Sequence, residues 1–201
     1  MIALIDYGGG NTKSVANILE RLQISYEITN NPEVIDKSDK IILPGVANFT
    51  YCMEQLINKK LDLVIKNEIL NKKKLFLGIC SGMQLLGSFS EEGNTAGLNL
   101  ISGTVRKFKI EDSKIVPHVG WNKINHNGDD LLKNIGNNSR FYFCHSFYFD
   151  PEDKSNIIIN SKYGKNFCSG IKKNNIYGIQ FHPEKSLEFG KILIHNFSQL
   201  S

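Results

Sequence analysis

Arginine is scarce. Only Arg21, Arg106 and Arg140 occur among 24 basic residues, and the lysines behind the net charge of +4 are scattered. Nucleic-acid binding calls for a clustered basic face with arginine and aromatic readers, so the sequence points away from that class of partner. Cysteine is also sparse, at positions 52, 80, 144 and 168, with no CxxC pair and no close Cys/His set. That spacing argues against zinc, and no metal or cofactor is expected. No apolar run approaches the length of a membrane span. The N-terminus has no basic region and no cleavage site. The expected location is therefore the cytoplasm, where thiols stay reduced. Repeats, low-complexity tracts and linkers are missing too. What is present is a 41% hydrophobic content in 201 residues. That fits one domain over 1–201 with a full core and no need of a covalent staple.

The first half alternates apolar runs with helical spacing. Ile2 to Asp6, Tyr26 to Thr29, Lys40 to Gly45 and Leu75 to Ile79 read as strands. Val15, Ile18, Leu19 and Leu22 fall at i, i+3, i+4, i+7, one face of a helix. Met53, Leu56, Ile57, Val64, Ile65 and Ile69 mark further helical segments, and Met83, Leu85 and Leu86 another. Such alternation predicts βαβ units and a parallel sheet. After Glu91-Glu92-Gly93 the pattern changes to strand-like pieces joined by polar turns. They are Gly103 to Lys109, Lys114 to Val119, Phe141 to Phe149, Ile157 to Tyr163, Phe167 to Lys172 and Ile176 to Phe181. A short helix is expected around Leu131-Leu132. Leu187, Phe189, Ile192, Leu193, Phe197 and Leu200 predict a terminal helix with Ser186 as its N-cap. The fold class is α/β: a central, mostly parallel sheet flanked by helices, with an additional antiparallel strand region in the C-terminal half.

Gly78-Ile79-Cys80-Ser81-Gly82 ends an apolar strand and opens a helix. That is the form of a nucleophile elbow, with sulfur in place of a serine hydroxyl. A thiol at a helix N-terminus gains from the helix dipole, which favours the reactive thiolate. It needs a base. His182 follows a strand and precedes a helix, at the end of the strand where open α/β sheets place their sites. Glu184 stands two residues on, beyond a proline, where a carboxylate can hold the imidazole and stabilise its protonated form. Taken alone, each piece has a bland reading: a tight crossing with a buried thiol, or a turn and a helix cap. Their joint placement at two strand ends favours a Cys-His-acid triad.

Several longer motifs accompany these residues: Asp6-Tyr7-Gly8-Gly9-Gly10-Asn11, Leu43-Pro44-Gly45-Val46, Ser90-Glu91-Glu92-Gly93, Val116-Pro117-His118-Val119-Gly120-Trp121-Asn122, Tyr142-Phe143-Cys144-His145-Ser146 and Gln180-Phe181-His182-Pro183-Glu184-Lys185-Ser186. With the elbow they run nearly end to end. The sequence resembles class I, triad-type glutamine amidotransferases, and among them the glutaminase subunits of imidazole glycerol phosphate synthases.

The resemblance implies the chemistry. Cys80 attacks the glutamine side-chain amide, His182 gives a proton to the leaving ammonia, and Glu184 orients His182. Water then resolves the γ-glutamyl thioester. The oxyanion hole is implied to be backbone N–H groups, one from Ser81 and one from the turn at Val46 and Ala47. Gln84, His145, Ser146 and Phe147 are implied to hold glutamine. Ammonia passes to a (βα)8-barrel cyclase partner in a heterodimer, for histidine biosynthesis. Asn11, His118, Trp121, Tyr142 and Lys185 are expected at that interface, with Lys185 pairing an acid on the cyclase.

Three positions depart from the family pattern. Ala47 stands where a second glycine is usual, and in the family that peptide is thought to rotate when the partner is loaded. Ser81 replaces the usual leucine of the elbow. Cys144 takes a position often held by valine; alternating with Phe143 and His145, it reads as packing. Gly8-Gly9-Gly10-Asn11 lacks the pattern of a phosphate loop and reads as a tight βα turn. Other readings are a paralogous glutaminase serving amidation of a surface sugar, a thiol hydrolase or peptidase of related fold, and a non-catalytic docking subunit.

Overall fold

The computed structural model describes residues 1–109 and 115–201. In chain order the elements begin with β1 (Ile2–Ile5), α1 (Thr12–Arg21), β2 (Tyr26–Thr29), α2 (Pro32–Lys37), β3 (Lys40–Gly45), α3 (Phe49–Asn58), α4 (Leu61–Leu70), β4 (Leu75–Cys80) and α5 (Ser81–Gln84). Then come β5 (Phe89–Ser90), β6 (Thr95–Ala96), β7 (Gly103–Lys107), β8 (His118–Lys123), β9 (Asn125–His126), β10 (Arg140–His145), β11 (Phe147–Pro151), β12 (Ile157–Tyr163), β13 (Lys165–Lys173), β14 (Ile176–Ile179) and α6 (Leu187–Gln199).

The main sheet has eight strands in the order β2-β1-β3-β4-β14-β13-β12-β9. β2, β1, β3, β4 and β14 run parallel, and β13, β12 and β9 continue antiparallel. β1 is buried at every position, and β3 and β4 at all but their first, as continuous apolar runs in a doubly covered sheet should be. Two buried clusters cover the two faces. One joins Val15 and Leu19 of α1 to Leu193 and Phe197 of α6, and the other joins Phe49 and Leu56 of α3 to Ile65 of α4. Each such fully buried side chain stabilises the fold by about 1.5–3 kcal/mol. Helix starts are set locally: the Asn11 side chain accepts the Ser14 amide at 3.2 Å, and that of Asn48 the Tyr51 amide at 2.9 Å.

The antiparallel region differs from expectation in detail. Phe141 to Phe149 is not one strand. The chain breaks at Ser146, so β10 pairs with β8 while β11 joins the separate sheet β11-β7-β5-β6. The strand expected over Lys114 to Val119 begins at His118 and runs to Lys123; Lys114 lies outside the described residues. β7 stops at Lys107, short of Lys109. The helix after the elbow is only four residues long. Ser186 precedes α6, but its hydroxyl does not cap it: it accepts the Tyr142 amide and donates to the His182 carbonyl.

Sheet register brings the site together. Gly45 of β3 pairs with Cys80 of β4, and Ile179 of β14 pairs with Ile79. The carboxyl ends of three adjacent strands thus meet at the elbow, with Gln180 to His182 emerging beside Cys80.

Candidate active site

Cys80 ends β4 with φ +55° and ψ −111°, a conformation that strains a residue carrying a β-carbon. Such strain costs roughly 1–3 kcal/mol and persists only where the surroundings impose it. Close packing imposes it here. A β-carbon on Gly82 would sit 2.0 Å from the Leu43 carbonyl oxygen, and one on Gly78 would sit 2.5 Å from that of Gly82. The two glycines of the elbow are therefore needed for the strand, turn and helix to nest.

His182 is 2% exposed and faces the same cavity as Cys80. Its Nδ1 is 2.7 Å from Glu184 Oε1. The backbone fixes the ring: the His182 amide donates to the Tyr142 carbonyl, and Ser186 holds the His182 carbonyl. Burial opposes the charged imidazolium, but the charge and hydrogen bond of Cys80, then those of Glu184, outweigh it and push His182 up to about 10. The geometry suits a thiolate–imidazolium pair braced by a carboxylate. Of the other thiols, Cys168 is pushed up to about 12 by burial, Cys52 is raised by the same cause, and Cys144 is exposed.

A cavity of about 270 Å³ opens onto the sulfur. Val46, Ala47, Ser81, Gln84, His145, Ser146 and Phe147, the residues the family resemblance implies for oxyanion donors and glutamine contacts, line it. The turn at Val46-Ala47, however, has both amides engaged by the Gly9 carbonyl, at 2.9 and 3.2 Å. Ser81 begins a helix, where the first amides have no intrahelical acceptor. Its hydroxyl donates to the Ala47 carbonyl at 2.8 Å. Gln84 is 4% exposed and its amide nitrogen donates to the Phe147 carbonyl at 3.0 Å.

His145 is buried and held well below its ordinary value, at about 3: desolvation disfavours its charge more than the Phe147 carbonyl favours it. Its Nδ1–H donates to that carbonyl at 2.7 Å, which leaves Nε2 to accept from His118 Nδ1 at 2.9 Å.

Of the residues expected at a partner surface, Trp121 is 40% exposed and meets Tyr142 edge to face across the β8–β10 pair. The Lys185 ammonium lies 5.5 Å from the Tyr142 ring centroid. Asn11 is exposed at the start of α1. His118 does not join them. Strand alternation turns it inward, 3% exposed, stacked on Phe143 and Tyr163.

Two residues escaped the sequence reading. Gln180 is fully buried, and its Nε2 lies 3.6 Å from Cys80 Sγ. Glu92 lines the cavity and accepts the Phe49 amide at 2.8 Å. Both stand in motifs quoted above, but only their position in the motif signalled them.

The chain matches the family described as "Glutamine amidotransferase class-I" over residues 3–199. It is 44% identical over 204 residues to the "Imidazole glycerol phosphate synthase subunit HisH" of Leptospira borgpetersenii, covering all of both chains. It is 45% identical over 205 residues to the "Imidazole glycerol phosphate synthase subunit HisH 1" of Methanococcus maripaludis, again over both full lengths. Among solved structures, a glutamine amidotransferase superposes with a TM-score of 0.76 at 14% identity, over 98% of this chain and 97% of that one. PurLQS from Thermotoga maritima does so with a TM-score of 0.73 at 22% identity, over 98% and 96%; both show a shared fold. The nested elbow, the braced imidazole and the full-length matches have one conclusion: the chain belongs to the class-I glutamine amidotransferases and, within them, to the HisH subunits of imidazole glycerol phosphate synthase.

Proposed function

We propose that this chain hydrolyses L-glutamine to L-glutamate and ammonia, and supplies the ammonia to the cyclase subunit of imidazole glycerol phosphate synthase in histidine biosynthesis. The observation that carries the reading is His182, braced by Glu184 at 2.7 Å and facing the same cavity as Cys80. The Cys80 thiolate attacks the side-chain amide carbon. The tetrahedral oxyanion collapses as His182 protonates the leaving nitrogen, which departs as ammonia. A γ-glutamyl thioester remains. Water attacks it with His182 as general base, and glutamate leaves as the thiolate is restored.

The Ser81 amide supplies one oxyanion donor. The second comes from Val46 or Ala47 once it leaves Gly9. Gln84, His145, Ser146 and Phe147 shape the glutamine end of the cleft. The partner is a (βα)8-barrel cyclase, docked on the exposed face that carries Asn11, Trp121, Tyr142 and Lys185, with His118 supporting that face from inside. Glutamine turnover measured with and without a barrel cyclase carrying its acceptor tests this. Strong activation in the loaded complex, lost in Cys80→Ala, is expected. Activity indifferent to the cyclase, or surviving that substitution, would overturn it.

A further inference from the structure

Resting on that glutaminase reading, we propose that Gln180 is a further catalytic residue: its side-chain amide donates a hydrogen bond to the Cys80 sulfur and stabilises the thiolate that attacks.

The hydrogen-bond network fixes which end of this amide faces the sulfur. The Phe147 carbonyl can only accept. It takes the His145 Nδ1–H at 2.7 Å and one Gln84 Nε2–H at 3.0 Å. Gln84 must therefore turn its nitrogen this way. Its second N–H then needs an acceptor and finds Gln180 Oε1 at 3.0 Å. With Oε1 so engaged, Gln180 presents Nε2 to Cys80 Sγ, at 3.6 Å. Reversing Gln84 would set its carbonyl oxygen against those of Phe147 and Gln180, and reversing Gln180 would set two donors against each other and a carbonyl against the thiolate. The orientation is set by a backbone carbonyl on β11, in another sheet, and transmitted through two carboxamides to the nucleophile.

The placement is as constrained as the orientation. Gln180 follows β14, whose pairing with β4 sets Ile179 opposite Ile79, so the next residue lies beside Cys80. Its own amide donates to the Ser169 carbonyl at 2.9 Å. Gln180 is 0% exposed, and a carboxamide so buried loses its water and must be satisfied by the protein. A neutral thiol is a weak acceptor, whereas a thiolate repays the donor more fully. Gln180 thus works in the same direction as the His182 cation, by a different means. It favours the anion without carrying a charge or taking part in proton transfer. The other titratable groups that bear on the sulfur are His182, Tyr7 and Cys52. None of them is altered by substituting Gln180.

The test reads the sulfur directly. Gln180→Met keeps the chain length and removes both polar atoms. Gln180→Glu keeps the acceptor for Gln84 and sets a carboxylate against the thiolate. Iodoacetamide alkylation of Cys80, followed peptide by peptide by mass spectrometry, is expected to slow about tenfold near about pH 6 in both variants. Rates should converge with wild type at high pH, once the Cys80 sulfur is ionised in every variant. Glutamine kcat should fall by a similar factor with KM little changed. Alkylation of folded variants at the wild-type rate near pH 6 would overturn the proposal. Should neither variant fold, the wild-type chain still decides: the Gln180 side-chain amide NMR signal should shift in step with Cys80 ionisation, and a signal that ignores it would sink the assignment. Alkylation needs no glutamine, so a slowed variant of a chain with no glutaminase activity would fault the reading of function and leave the role of Gln180 at the sulfur standing.

Discussion

The amide of Val46 donates to the carbonyl of Gly9 at 2.9 Å, and the Ala47 amide shares the same oxygen at 3.2 Å. The turn that should complete the oxyanion hole is thereby tied to the loop between β1 and α1. A donor is released to the cleft only if a peptide of this turn rotates. An alanine at 47 resists a positive φ by roughly 1–2 kcal/mol. Ala47→Gly should therefore raise glutamine turnover, up to about tenfold if the rotation limits it. Unchanged turnover would show that the turn is not limiting. The Ser81 hydroxyl holds the Ala47 carbonyl from the other side at 2.8 Å. Ser81→Ala should raise turnover as well. Because the two residues restrain one peptide segment, the double variant should gain less than the product of the single gains.

Glu184 holds His182 with one oxygen, while among the described residues its buried Oε2 has no hydrogen-bond partner. In Glu184→Gln the carbonyl can still accept from His182 Nδ1. The charge is lost, and an NH2 group takes a place with no acceptor. That leaves a buried donor unsatisfied at about 1–3 kcal/mol. Two readouts should move together: a lower melting temperature, and a kcat reduced on the order of 100-fold with KM little changed. Full activity in a folded variant would reduce Glu184 to a structural role.

How much of this was legible in the sequence follows from where each signal resides. β1, β3 and β4 are buried on both faces, so their apolar runs announce them. The elbow shows because its glycines are demanded by backbone contacts on either side of Cys80. The break at Ser146 does not show. The run Phe141 to Phe149 is aromatic on both sides of it, and the choice of partner, β8 for one half and β7 for the other, is made by distant chain. Two-residue strands such as β5, β6 and β9 carry no period at all. Gln180 is a polar residue at the end of an apolar strand, and its role depends on Phe147 and Gln84 across the cleft. His118 shares a motif with exposed Trp121, yet an odd spacing within one strand sends the two to opposite faces.

Gly82 offers a test of the elbow that is independent of catalysis. A β-carbon there would meet the Leu43 carbonyl oxygen at 2.0 Å, which only a backbone shift of β3 relieves. Gly82→Ala should destabilise the fold by several kcal/mol, among the larger effects of single substitutions. Gly136, with nothing within 4 Å of the corresponding position, is the control. Gly136→Ala should leave the urea midpoint almost unchanged. Equal midpoints for the two variants would mean that the elbow yields more easily than its contacts imply.

Two of the buried imidazoles, His182 and His145, should bend the stability curve in opposite directions. His182 is raised to about 10, first against burial and then by Cys80 and Glu184. Its contribution is fully present below its unfolded value of 6.5 and is lost as pH rises through about 10. His145 is lowered to about 3, chiefly by burial. The unfolded chain binds a proton there from pH 6.5 downward, while the native chain refuses it until about 3. Its contribution is therefore present above 6.5 and drains away as pH falls toward 3. One such proton gives a slope of at most about 1.4 kcal/mol per pH unit. Urea unfolding between about pH 6.5 and 5, above the range where carboxylates dominate, is the window in which it shows, and comparison with a variant lacking the imidazole separates it from the other histidines. His145→Phe fits a site already walled by Phe108, Phe143 and Phe167. It leaves the His118 Nδ1–H without its acceptor, so the variant should be less stable at neutral pH. It should also lose less on acidification, with a slope shallower by up to one proton. A variant whose stability falls with pH as steeply as wild type would mean that His145 takes up its proton in the native state, and the refusal deduced from its burial would be wrong.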